Sequence, residues 1–200
     1  MTNTLLSGSQ GLSWLELQSI TPEPAVQEIF VRTKERFGHI RNAQRIVAHR
    51  SALALAQDRL SRAVQNAPDS GITPFERELI ALVVSVENRC EPCVFAHAAI
   101  LREISQDPAL VGKIEVNYRH VDLTERQRAL ANYAVKVSLS PSLIEESDIG
   151  KLRDAGLGEY EILDAAAIIA YFNFSNRLNS ALGIKPNDEA YEANRTFSKE

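Results

Sequence analysis

The stretch from Thr73 to Leu101, TPFERELIALVVSVENRCEPCVFAHAAIL, constrains this chain more than any other. Thr73, Pro74 and Glu76 form a capping-box pattern with proline at the first helical position, so a helix is expected to start there. From Leu79 to Val86 only Ser85 is polar, which predicts a helix buried on all sides. Glu87-Asn88-Arg89 interrupts the run and allows a turn. A second helix is expected from about Cys90, with Pro92 tolerated in its first turn and Val94 to Leu101 carrying it on.

This hairpin holds both cysteines of the chain, Cys90 and Cys93, with His97 four residues further on and Glu78 upstream. On one straight helix Glu78 would lie roughly 18 Å from Cys90, at about 1.5 Å rise per residue. A reversal at Asn88 instead brings Glu78 level with His97. Cys93 and His97 then share a helix face, as do Cys90 and Cys93. The dipole and free N–H groups of a helix start also favour a thiolate. Two thiols, a base beside one of them and a carboxylate to orient the base suit a redox-active pair. Two small buried core cysteines are the plain alternative. A zinc site is another, with Cys90, Cys93, His97 and Glu78 or a distant histidine as ligands, although structural zinc usually has two paired ligand sets. A thioredoxin-like motif would follow a strand, whereas this one follows an apolar helix.

Composition narrows the setting. Two hundred residues, 44% hydrophobic, suffice for one well-packed domain. The net charge of −4 is spread with both signs interspersed, so neither a nucleic acid nor a membrane surface is an expected partner. The N-terminus does not read as a signal peptide, and no apolar run reaches the length of a membrane span. A cytoplasmic, reduced resting state is therefore expected, where C-x-x-C is more often catalytic or metal-binding than structural.

Read in order, residues 1–20 are expected to form an irregular arm anchored by Trp14, Leu15 and Leu17, and residues 21–184 one domain. Helices are predicted from Ala25 to Phe37, stopped by Gly38, and briefly from Ile40 to Val47. Another is predicted from Ser51, with Leu53, Leu55, Leu60 and Val64 as its apolar face. Asp107-Pro108 opens a short helix, and Val116 to His120 is ambiguous. Thr124 with Gln127 caps a helix to Leu139, and Ser142 with Glu145 caps one ending at Gly156. A last long helix runs from about Glu159 to Leu182, and residues 185–200 are expected as an extended tail. The last helix and its approach look like the stretch 85 residues earlier, Gly156 matching Gly71 and Asn173 matching Asn88, with Ser175, Leu178 and Leu182 opposite Cys90, Cys93 and His97. His39, His49 and His120 read as surface or capping residues. Tyr171, Phe172 and Phe174 read as core or interface, with some able to line a channel. Period-two alternation is scarce, so the expected fold is all-α, a helical bundle with two related halves.

The pattern E-x11-C-x-x-C-x3-H, carried by Glu78, Cys90, Cys93 and His97, resembles the alkylhydroperoxidase D group of the carboxymuconolactone decarboxylase superfamily. The segments TPEPAVQEIFVRTKERFG, RELIALVVS, LTERQRALANYA and YFNFSNRLNSALGI are similar to its peroxidase-related members, over roughly residues 20 to 185. The resemblance implies a thiol-dependent peroxidase. Cys93 would attack the hydroperoxide, Cys90 would be proton donor and resolving partner, and Glu78 with His97 would relay protons. It further implies no cofactor and no metal, an external dithiol or redox protein as reductant, and a homo-oligomer, trimer or hexamer. At one place the chain departs from the best-known members: Glu91-Pro92 stands where they carry a histidine before the second cysteine. Other readings are a disulfide reductase or thiol relay, a redox-sensing interaction module, and the superfamily's decarboxylase branch, whose chemistry does not need two cysteines.

Overall fold

Thr73 closes the capping box the sequence predicts: its hydroxyl accepts from the Glu76 amide, and the Glu76 carboxylate accepts from the Thr73 amide. From that start α4 (Pro74–Glu87) runs through the centre of the protein, with Leu79 to Val84 at 0–1% exposure. Burying Leu79, Ile80 and Leu82 stabilises the fold by roughly 1.5–3 kcal/mol each. The computed structural model describes residues 6–196, and among these there are ten α-helices and no strand beyond the single bridge between Leu6 and Ile20. The all-α expectation holds.

Around α4 pack α5 (Glu91–Ser105), α6 (Pro108–Asn117), α7 (Glu125–Leu139) and α9 (Glu159–Ala181), which share its core. A smaller cluster joins α1 (Pro24–Phe37), α2 (Asn42–Val47) and α3 (Ser51–Gln65), through Val26, Phe30, Val47 and Ala54. Gly38 ends α1 at φ +78°, and Thr124 with Gln127 caps α7, both as predicted. The ambiguous segment completes α6 and then forms a 3-10 turn over Tyr118–His120. Among the described residues no helix is long and apolar enough to cross a membrane.

Four expectations are corrected. On α3, Leu53 and Leu60 face solvent while Ala54 turns inward, because the inner side of this helix borders a cavity and carries Gln57, Ser61 and Gln65 there. Helix α8 (Glu146–Asp154) is not capped by Ser142, which lies in a 3-10 turn; Asp148 reaches back to accept from the Glu145 amide. In the arm, Trp14 and Leu15 are exposed, and the buried anchors are Leu6 and Ser9. The C-terminal tail is not extended. It forms α10 (Asp188–Glu192) against α5, because the buried Arg102 guanidinium donates to the carbonyls of Ala190, Tyr191 and Ala193. Residues 1–5 of the expected arm and 197–200 of the expected tail lie outside the described residues.

Candidate active site

The hairpin reverses through a helix-ending turn of a known kind. The Cys90 amide donates to the Ser85 carbonyl and the Arg89 amide to Val86, with Arg89 left-handed at φ 52°. This is the Schellman arrangement, with arginine where glycine is usual. It leaves Cys90 as N-cap of α5, Pro92 second and Cys93 third in the helix. At the hairpin's far end Arg77 donates to the carbonyls of Ile72 and Ala67, and Arg126 bridges Glu76 and Glu161. Both ends of α4 are therefore held, and its register against α5 with them.

That register brings Glu78 and His97 together. The Glu78 Oε2 lies 2.7 Å from His97 Nδ1, with both side chains buried. A carboxylate only accepts, so Nδ1 carries the hydrogen of this bond and Nε2 is the nitrogen left free. Gln65 Nε2 donates to the other Glu78 oxygen at 3.2 Å, and the Phe172 ring meets the imidazole edge-on at 4.5 Å between centroids. One hydrogen bond to a carboxylate that Gln65 holds in turn, and one ring contact, fix the His97 orientation.

Both cysteines are free thiols. Cys93 lines a cavity of about 320 Å³ that also reaches Glu78 and His97, whereas Cys90 lies behind it at 1% exposure. The Cys90 S–H donates to the Cys93 sulfur, and this hydrogen bond is the main reason that the Cys93 thiol is lowered from an ordinary 9.0 to about 6. Burial opposes the shift; the nearby His97 and the side-chain amides of Asn179 and Asn176 add to it. Asn179 Nδ2 donates to Cys93 Sγ at 3.2 Å. Cys90 is raised by the same bond and by burial, so it keeps its proton. The arrangement can hold a thiolate, a thiol beside it, and a histidine–carboxylate pair within one buried pocket. Among the described residues no three His, Cys, Asp or Glu side chains converge as a metal site requires.

The four residues singled out from sequence thus come together. Sequence reading missed Asn176 and Asn179, which hold the Cys93 sulfur from α9, and Gln65, which supports Glu78. A signal was present: Asn173, Asn176 and Asn179 recur every third residue directly after the apolar run from Ala165 to Phe172. Phe172 and Tyr171 line the cavity, while Phe174 is partly exposed.

Residues 51–115, which include α3, α4 and α5, match the carboxymuconolactone decarboxylase family. The alkylhydroperoxidase AhpD core of an uncharacterized peroxidase-related protein from Ralstonia eutropha is 32% identical, over 88% of this chain and 92% of that one, with a TM-score of 0.83. The chain belongs to the carboxymuconolactone decarboxylase superfamily, in its alkylhydroperoxidase D-like group. An uncharacterized peroxidase-related protein from a Silicibacter species is likewise 32% identical, over 86% of this chain and 92% of its own, with a TM-score of 0.81. The debrominase Bmp8, at 22% identity over 84% of this chain and 88% of its own, shares the alkylhydroperoxidase D-like fold at a TM-score of 0.73. No curated protein sequence matches the chain.

Proposed function

We propose that the protein is a thiol-dependent peroxidase that reduces organic hydroperoxides through Cys93 and Cys90. One observation carries the reading: the low-pKa Cys93 opens on a cavity while a protonated thiol stands directly behind it. The Cys93 thiolate attacks the distal peroxide oxygen, the O–O bond breaks, and the alkoxide leaves as an alcohol once protonated. His97 Nε2, oriented by Glu78, is the group we assign to take up the Cys93 thiol proton as the thiolate forms and to deliver it to the alkoxide. Cys93 is then a sulfenic acid, oxidised by two electrons. The Cys90 sulfur displaces its hydroxyl, which departs as water, and a Cys90–Cys93 disulfide remains. An external dithiol returns the pair to two thiols and is itself oxidised to a disulfide.

A cysteine pair that must be returned to two thiols after each turnover fits a reducing compartment, so we read the protein as cytoplasmic. Tyr160, Leu163 and Phe174 leave an exposed apolar stripe on α9, which supports the homo-oligomer that the family resemblance implies.

The test is stopped-flow oxidation of the reduced protein by an organic hydroperoxide, with free thiols and intact mass followed together. Loss of both thiols and of two hydrogens, far faster than free cysteine reacts, is the expected result. Oxidation no faster than free cysteine would overturn the peroxidase reading and favour a thiol relay.

A further inference from the structure

Arg41, half-buried, differs from Arg77, Arg102 and Arg126, whose guanidinium groups are spent inside the protein. Arg77 donates to backbone carbonyls, Arg102 to backbone carbonyls with Glu115 beside it, and Arg126 to two carboxylates and two carbonyls. Arg41 lines the Cys93 cavity, and among the described residues it makes no ion pair and no side-chain hydrogen bond. Its nitrogens are not sealed in the protein either, since the one buried guanidinium atom without a partner belongs to Arg45. Its donors therefore open on the cavity. The Phe37 ring lies under the guanidinium, 4.4 Å from its carbon to the ring centroid, and holds its plane. Burial lowers the Arg41 pKa, and the field of Glu78 only partly offsets this. A half-buried, preorganised cation with no partner in the protein favours an anion that comes to pair with it.

The cavity is also too large for hydrogen peroxide. Its volume of about 320 Å³ equals roughly ten water molecules at about 30 Å³ each. Ile29, Phe30, Val47 and Ile100 make much of its wall apolar, and a second cavity of about 310 Å³ adjoins it at Phe37, Arg41 and Ile100. Arg41 thus stands where the reactive cavity meets an outer one.

We propose that Arg41 is an anion anchor, and that the substrate is an organic hydroperoxide with an apolar body and a carboxylate that pairs with this guanidinium. The proposal rests on the peroxidase reading above. A planar guanidinium matches a carboxylate with two parallel hydrogen bonds. A phosphate ester is the poorer fit, because Glu78 and the Cys93 thiolate already place negative charge in the same cavity, and Arg36, the other guanidinium of its wall, is already paired with Glu103, which leaves one unpaired guanidinium for a monoanion.

Two experiments test the anchor together. In the first, cumene hydroperoxide bearing a ring carboxylate and its methyl ester are compared as substrates with dithiothreitol as reductant. The acid is expected to have the higher kcat/KM in the native protein, mainly through KM. Arg41→Gln should lower the acid-to-ester ratio about 10- to 100-fold, the range for a hydrogen bond to a charged group, and Arg41→Lys should fall between. Equal effects on acid and ester would mean that Arg41 serves only the Cys93 thiolate, and would overturn the proposal. In the second, 4-isopropylbenzoate and its amide, which carry no peroxide, are titrated calorimetrically into the native protein and into Arg41→Gln. Binding of the carboxylate alone, lost in the variant, is expected. If it binds this way but no hydroperoxide oxidises the thiols, the peroxidase reading fails and the anchor stands. If both hydroperoxides turn over equally well and the carboxylate does not bind, the anchor fails alone.

Discussion

Asn88 donates through Nδ2 to Asn173 Oδ1 at 3.0 Å, across 85 positions of sequence, and Asn173 is the residue that the internal repeat aligns with it. Equivalent points of the two halves therefore touch, as they do at an axis relating two copies of one helix pair. The contact opens a polar chain that runs from a half-buried end inward. Asn88 also donates to Asn176, Asn176 donates to Ser85, and Asn173 donates to Ser138. Asn176 is one of the amides that favour the Cys93 thiolate, so the seam between the halves and the candidate site share a residue.

Removing the head of that chain should be costly. Asn88→Ala leaves Asn176 Oδ1 without its donor, and an orphaned buried acceptor costs about 1–3 kcal/mol. In a protein of this size each kcal/mol lowers Tm by roughly 2–4 °C. Calorimetry checks the drop, and an unchanged Tm would mean that the seam is not structural.

The two cysteines should separate by product. Cys93→Ser is expected to abolish peroxide-driven thiol loss. Cys90→Ser should instead stop at a sulfenic acid on Cys93, read by intact mass as one added oxygen and by trapping with dimedone. A disulfide-linked dimer as the sole product of Cys90→Ser would mean that Cys93 is reachable by another protein chain.

The pH profile follows from the shift at Cys93. With its pKa lowered to about 6, the thiolate is populated at neutral pH. The oxidation rate should be level above that value and fall about tenfold for each pH unit below it, since the thiolate is the nucleophile. Asn179→Ala removes a donor to the charged form, so the midpoint should move upward by roughly one to two units. Stopped-flow rates across the pH range check both, and a downward movement would contradict the assignment.

Arg102→Met should release the C-terminal segment. Three carbonyls of residues 190–193 lose their donor, while the methionine still fills part of the apolar space. Limited proteolysis is expected to cleave near α10 in the variant and not in the native protein, with the helical core left intact.

The apolar stripe of α9 gives a test of association. Leu163→Glu puts a charge among exposed apolar side chains and should shift the protein to smaller species in size-exclusion chromatography with light scattering. An unchanged mass would exclude this face as the contact.

Much of this is legible in the sequence. The capping box at Thr73, the apolar run and the break at Asn88 are local signals, and local signals set helix starts, stops and lengths. Once the turn is placed, counting residues puts Glu78 beside His97, because an antiparallel helix pair pairs positions equidistant from its turn. The same local logic failed on α3. Its leucines resemble a core face, but the inner side of that helix meets a cavity, and polarity toward a cavity cannot be told from polarity toward water in a linear pattern.

The sequence by itself determined an all-α chain, a tight helical hairpin, and a thiol pair with a histidine and a carboxylate in register. Tertiary structure alone decided what surrounds the sulfur. Asn179, 86 residues from Cys93, and Arg41, from a helix start far from the motif, arrive through the packing of α9 and α2. Such contacts depend on how whole helices cross, and helix crossing is set by the combined shape of many side chains rather than by the spacing of a few.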